Sequence, residues 1–257
     1  MVSANRDMLV AIAGVFFLLP GLIAAVVLPT PELTSGMDQA AMTDVFVKFY
    51  NAAAPILLVL SLPMLLGYLV LLVMLLDRDR PTVGAAIVVG IRLLPSYLAT
   101  QIVTSVALSM LWLTVLTGLT LVLPQVLAVL VSILAMIYPL VRVVLIGPEM
   151  VAQRLRNPIR AIVAGLARTR GHGLKILLYI GPALTLFVVV YGLVMIFAGV
   201  MEANLSQGDV QRLISAGIGA VLFAVGYTYY AAIIASTYDQ LGPVHGVRGA
   251  ISPSTPS

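Results

Sequence analysis

The chain has 257 residues, of which 61% are apolar and only 9% charged, with a formal net charge of +4 and no cysteine. Soluble domains carry roughly 25% charged residues, so too few charges exist here to cover the exterior of a water-soluble fold of this size. The composition also excludes disulfide and thiolate chemistry, and the 14 Lys and Arg are not gathered on a soluble module of the kind that binds nucleic acid.

A hydrocarbon core about 30 Å thick takes roughly 20 apolar residues per helix. Residues 8–28 form the first such run, broken only by Pro20. Its apolar stretch exceeds the roughly 7–15 residues of a signal-peptide core, and no convincing small-residue cleavage site follows, so a retained span is expected. Further spans are expected over about 52–76, 97–119, 124–144, 174–200 and 213–236. Pro55, Pro63, Pro139 and Pro182 lie inside these runs. Neighbouring helices can satisfy the carbonyls they free, so none vetoes a helix.

The connecting segments set the orientation. Residues 29–51 carry Glu32, Asp38 and Asp44 against Lys48, and 201–212 carry Glu202 and Asp209 against Arg212. The opposite side collects Arg6, Arg78, Arg80, Arg92, Arg142, the run from Arg154 to Lys175, and Arg248, which is twelve of the 14 basic residues. Against five acidic residues there, these leave +7 on a side that the positive-inside rule makes cytoplasmic, with both termini on it.

Between the spans, Ala86-Ile87-Val88-Val89-Gly90-Ile91 recurs 75 residues later as Ala161-Ile162-Val163-Ala164-Gly165-Leu166. Each copy lies near a proline, Pro81 or Pro158, and between two spans, so a parallel internal repeat is expected. In the first copy Val83, Ile87, Gly90, Ile91 and Leu94 share a helical face; in the second, Ile159, Ile162, Val163 and Leu166 do. A short amphipathic helix fringed by Arg154, Arg156, Arg160, Arg168, Arg170 and Lys175 suits the headgroup plane. The alternative is a cytoplasmic helix packed under the bundle, its arginines serving as topology signals. The expected fold is therefore all-α. It is a single polytopic domain, 1–257, of six transmembrane helices with two interfacial or re-entrant cytoplasmic helices, and 237–257 form a cytoplasmic tail, disordered at its end.

Catalytic constellations are sparse. His172 and His245 stand far apart and outside any metal-ligand spacing, and no phosphate-binding loop pattern occurs. Asp77-Arg78-Asp79-Arg80 reads as a self-neutralising turn. No catalytic residue, metal or cofactor is expected. An ionisable residue inside a span is a functional candidate by default. Arg142 is the one that qualifies, within snorkelling distance of the cytoplasmic end, and Glu149 follows seven residues later. The two form a candidate intramembrane polar pair, as a structural pin or as the floor of a cavity. Tyr227, Tyr229, Tyr230 and Tyr238 read as an aromatic belt.

Residues 138–177, YPLVRVVLIGPEMVAQRLRNPIRAIVAGLARTRGHGLKIL, carry an Arg in an apolar run, then a Glu, then an alanine-containing helix ending in Thr-Arg-Gly. At Arg142, Glu149, Ala161 and Thr169-Arg170-Gly171, and again at Val122-Leu123-Pro124 and Tyr238-Asp239-Gln240-Leu241, the chain resembles a known family. It is the membrane domain fused to some glycerophosphoryl diester phosphodiesterases, with its stand-alone bacterial inner-membrane relatives. It departs from that pattern at Gly165 to Ala167, where a serine is usual. The resemblance implies a six-helix bacterial inner-membrane module. It does not imply phosphodiesterase activity, because the hydrolase of the fused members is a separate soluble domain. The expected function is non-enzymatic: organising anionic lipid headgroups, or an unidentified protein partner, at the cytoplasmic face. The alternative is a transporter or lipid-handling permease with a cavity between the repeated halves.

Overall fold

A computed structural model describes residues 6–28, 36–77, 79, 81–203 and 209–242. Among them the secondary structure is helical throughout: α1 (Arg6–Ala13), a π-helical turn (Gly14–Leu18), α2 (Leu19–Val27), α3 (Gln39–Leu76), α4 (Val83–Thr120), α5 (Gln125–Val143), α6 (Ile146–Ala152), α7 (Pro158–Arg168), α8 (Gly173–Ala203) and α9 (Asp209–Gln240). Six helical stretches are long and apolar enough to cross a membrane: Asp7–Val27, Gln39–Leu76, Val83–Thr120, Gln125–Ala152, Gly173–Val200 and Ala216–Gln240. They coincide with the six expected runs. The internal prolines Pro55, Pro63, Pro95, Pro139 and Pro182 all sit within continuous helix. Arg78, Arg80, His245, Arg248 and the expected tail beyond Gly242 lie outside the described residues.

Several helices exceed their spans, for local reasons. Helix α3 starts at Gln39 because Asp38 caps it, its carboxylate accepting from the Ala41 N–H at 2.7 Å. Its exposed first turns are braced by the Asp44–Lys48 pair at 2.6 Å. Helix α4 absorbs the first expected interfacial segment: Val83–Thr120 is one helix of 38 residues, roughly 57 Å at 1.5 Å per residue. Pro95 lies inside this continuous helix, so the expected boundary between the interfacial segment and the third span is absent. The second segment does become a separate helix, α7, because Gly171 adopts φ +78° just beyond it and turns the chain.

The starts of α4 and α7 nevertheless match position by position at the 75-residue offset. Thr82 Oγ1 accepts from the Ala85 N–H at 3.3 Å, and Asn157 Oδ1 accepts from the Arg160 N–H at 3.2 Å. Residues 82–90 and 157–165 share one succession of buried, half-buried and exposed positions, with Ala86, Gly90, Ala161 and Gly165 buried. Both glycines lie against the preceding helix. A Cβ on Gly90 would meet Leu66 and Val70 of α3, and one on Gly165 would meet Ile146 of α6.

The described chain forms two compact units, Met1–Pro95 with Pro182–Ile233, and Ser96–Gly181 with Ile234–Ser257. In the first, Phe17 and Leu69 to Val73 are fully buried. Phe17 packs on Tyr227 at 4.9 Å between ring centroids, and Tyr68 lies 6.2 Å from both Tyr227 and Tyr230. The expected belt is thus divided by helical periodicity. Tyr227 and Tyr230, three residues apart, face this aromatic cluster, while Tyr229 is exposed. In the second unit the buried set includes Leu145, Ile146, Met150, Ala161, Ile176 and Ile234. The indole of Trp112 donates to the fully buried Ser132 Oγ at 3.2 Å, a polar tie between α4 and α5.

Candidate functional site

Among the described residues, the buried charges Glu149 and Arg168 lie in the second unit. Helix α5 ends at Val143, and the chain turns before α6 begins at Ile146. Pro148 has no N–H to carry an α-helical ladder back to Val144, which fits a break at this point. The break reorients Glu149, so Arg142 and Glu149 do not form the pair expected from their spacing. They take separate partners.

Arg142 closes the C-terminal end of α7. Its Nε donates to Thr169 Oγ1 at 2.8 Å, one terminal nitrogen to the Leu166 carbonyl at 2.8 Å, and the other to the Tyr138 hydroxyl at 2.9 Å. Thr169 is fully buried, and its hydroxyl reaches the carbonyls of Leu166 (3.0 Å) and Arg142 (3.3 Å). Cationic donors at a helix C-terminus complement the exposed carbonyls and the macrodipole. Replacing Arg142 with Met, which keeps the aliphatic stem, is expected to lower stability by about 2–3 kcal/mol, the range for hydrogen bonds made by a charged group. Chemical denaturation in detergent micelles, followed by far-UV circular dichroism, measures it.

Glu149 is 2% exposed and belongs to a different cluster. One carboxylate oxygen accepts from the Gln153 amide, one turn on. The other lies 3.4 Å from a terminal nitrogen of Arg168, whose side chain is only 9% exposed. The Arg168 guanidinium stacks 3.9 Å above the centroid of the Tyr238 ring. It also donates to the Gly242 carbonyl at 2.7 Å and the Tyr238 carbonyl at 3.4 Å, closing the end of α9. Tyr238 in turn interacts with the Glu149 carboxylate. Glu149 Oε2 and Arg168 Nε are buried without a hydrogen-bond partner, so the pair is held by charge and stacking as much as by hydrogen bonds.

Of the six cations expected to face lipid, Arg168 is therefore turned inward. Arg154, Arg156, Arg160, Arg170 and Lys175 are exposed. The signal for the exception was in the sequence. Arg168 falls on the face of Ala161 and Gly165, at i+7 and i+3, and that small-residue face is the one α7 buries. The apolar stripe of α7 is not its packing face: Ile159 is 67% and Val163 61% exposed. Beside this cluster, His172, Lys175, Ile176 and Tyr179 of the α8 end and Thr237, Gln240 and Leu241 of the α9 end line a cleft of about 200 Å³. Among the described residues no group of histidine and carboxylate side chains is arranged to hold a metal ion.

Six apolar helices of spanning length define a multi-pass membrane protein. Compared with family models, curated proteins and solved structures, the chain matches none.

Proposed function

We propose that this chain is a non-enzymatic inner-membrane module that gathers anionic phospholipid headgroups on its cytoplasmic face, with α7 as the contact element. One observation carries the reading. Helix α7 packs through Ala161 and Gly165, and its opposite side presents Ile159 and Val163 beside the exposed Arg156 and Arg160. Arg154, Arg170 and Lys175 extend the basic fringe. An apolar stripe with a cationic border lies in the headgroup plane, its aliphatic side chains in the acyl boundary and its guanidinium groups on phosphates. Orientation follows from the same charges, with both termini cytoplasmic and the basic side inward.

The matched starts of α4 and α7 support a parallel duplication, in which the second and third spans, α3 and α4, correspond to the fourth and fifth, within α5 to α8. The resemblance to the glycerophosphoryl diester phosphodiesterase membrane domain, without its hydrolase, supports the bacterial inner membrane as the site and a module without catalytic machinery.

Changing Arg154, Arg156, Arg160 and Arg170 together to Gln is expected to reduce anionic phospholipid co-purifying with the protein several-fold, leaving zwitterionic phospholipid unchanged. Lipid extraction and mass spectrometry of protein purified from native membranes reads this. Unchanged anionic lipid in a well-folded variant would overturn the proposal.

A further inference from the structure

The cleft between the start of α8 and the end of α9 has a character that the open face of α7 lacks: it is concave, and its walls are anchored from within. On the α8 side, the His172 N–H donates to the Thr169 carbonyl at 3.1 Å and the His172 ring lies 3.1 Å from the Arg170 carbonyl. Thr169 is itself held by Arg142. On the α9 side, Thr237, Gln240 and Leu241 are sequence neighbours of Tyr238 and Gly242, the two residues that the nine-tenths-buried Arg168 grips. Polar side chains from two helices are thus presented at fixed positions.

The lining has one sign of charge. Lys175 supplies an exposed ammonium, no carboxylate is among the lining residues, and the other polar groups are the Tyr179 hydroxyl, the Gln240 amide and the His172 ring, with Thr237 buried in the wall. The fully buried Ile176, with Leu241, makes an apolar floor. Beside the cleft on α8, Leu174 is 70% and Leu178 64% exposed, an apolar flank leading away from the polar mouth. An ammonium with several neutral donors over a small volume suits a tetrahedral oxyanion, whose oxygens accept from several directions at once.

We infer that this cleft is a discrete site for a phosphate ester, with Lys175 as the charge-bearing contact and Tyr179 and Gln240 as orienting donors. The inference rests on the reading that this end of the bundle meets headgroups, and it adds one ordered position to the diffuse contact made by α7. The phosphate can belong to a membrane glycerophospholipid, whose chains would follow Leu174 and Leu178, or to a soluble glycerol phosphate.

The test uses the full chain purified in a non-ionic detergent, with native mass spectrometry as readout. The probes are dioleoyl phosphatidylglycerol, dioleoylglycerol, which has the same chains without the phosphate, and sn-glycerol 3-phosphate. Lys175→Gln is expected to weaken the first phosphatidylglycerol bound by about tenfold, the scale of one charge-assisted hydrogen bond. It should leave dioleoylglycerol unaffected, and Lys175→Arg should retain most of the binding. Displacement by sn-glycerol 3-phosphate supports the site and assigns it to a soluble ester; lack of displacement, with the Lys175 effect intact, supports the site and assigns it to lipid. Wild-type affinity in Lys175→Gln overturns the inference, as does an equal loss for dioleoylglycerol. The Arg156→Gln/Arg160→Gln variant separates this from the broader proposal. If it loses weakly bound anionic lipid while Lys175→Gln is silent, α7 stands and the cleft falls; the reverse pattern sinks α7 and keeps the cleft.

Discussion

Arg168→Ala is expected to destabilise the protein by about 3–5 kcal/mol, because it leaves the Glu149 carboxylate buried without a counter-charge. The substitution also removes the stacking on Tyr238 and the donor to the Gly242 carbonyl, so the end of α9 loses its cap. The corresponding positions 75 residues earlier are Met74 and Leu93, both buried and both apolar. On the proposed duplication, that register has an uncharged solution in the same chain. The double substitution Glu149→Met/Arg168→Leu copies it, and should recover the part of the Arg168→Ala loss that comes from the unpaired carboxylate, leaving the loss of the Tyr238 stacking and the α9 cap. Denaturant midpoints for the wild type, both singles and the double make a complete cycle. Additive losses in the double would show that the two charges do not couple, each contributing to stability through its other partners. Recovery of stability together with loss of lipid binding would show instead that the pair is kept for the walls it anchors.

The second large effect is at Gly165. A Cβ there would lie 2.7 Å from Ile146 Cγ1 and 2.8 Å from Ile146 Cα, so α6 backbone, and not merely a side-chain tip, must shift. Gly165→Ala is expected to cost about 1–3 kcal/mol, in the range of overpacked cores. Gly90→Ala should cost less. Its nearest neighbours are the methyl groups of Leu66 at 3.0 Å and Val70 at 3.2 Å, which can rotate away. Gly118→Ala, with nothing within 4 Å, should be neutral or stabilising by roughly 0.5–1 kcal/mol, the intrinsic helical advantage of Ala over Gly. The order Gly165 worst, Gly90 intermediate and Gly118 best is the result to look for in thermal unfolding. A Gly165→Ala protein as stable as wild type would mean that α6 and α7 do not pack as closely as described.

The six spans were legible because their signal is one-dimensional. A bilayer imposes length and apolarity on each helix separately, and a run of about 20 apolar residues registers both without reference to any other part of the chain. Even the prolines inside the runs could be discounted on that ground.

The partners of the charges were not legible. Arg142 and Glu149 stand seven residues apart and would share a face on a continuous helix, but the break between Val143 and Ile146 rotates one away from the other. The second expected interfacial segment ends as a separate helix before Gly171 with its φ of +78°, whereas the first runs on within α4. Arg168 looked like a fifth member of an arginine fringe, yet it sits on the small-residue face with Ala161 and Gly165 and meets Tyr238, seventy residues away. Sequence by itself determined the solvent of this protein and the number of helices long and apolar enough to cross a membrane, since each of these is a property of composition along the chain. Only the tertiary structure decided which cations face outward and which is spent on a buried carboxylate, because that depends on the direction of each side chain after the helices have packed.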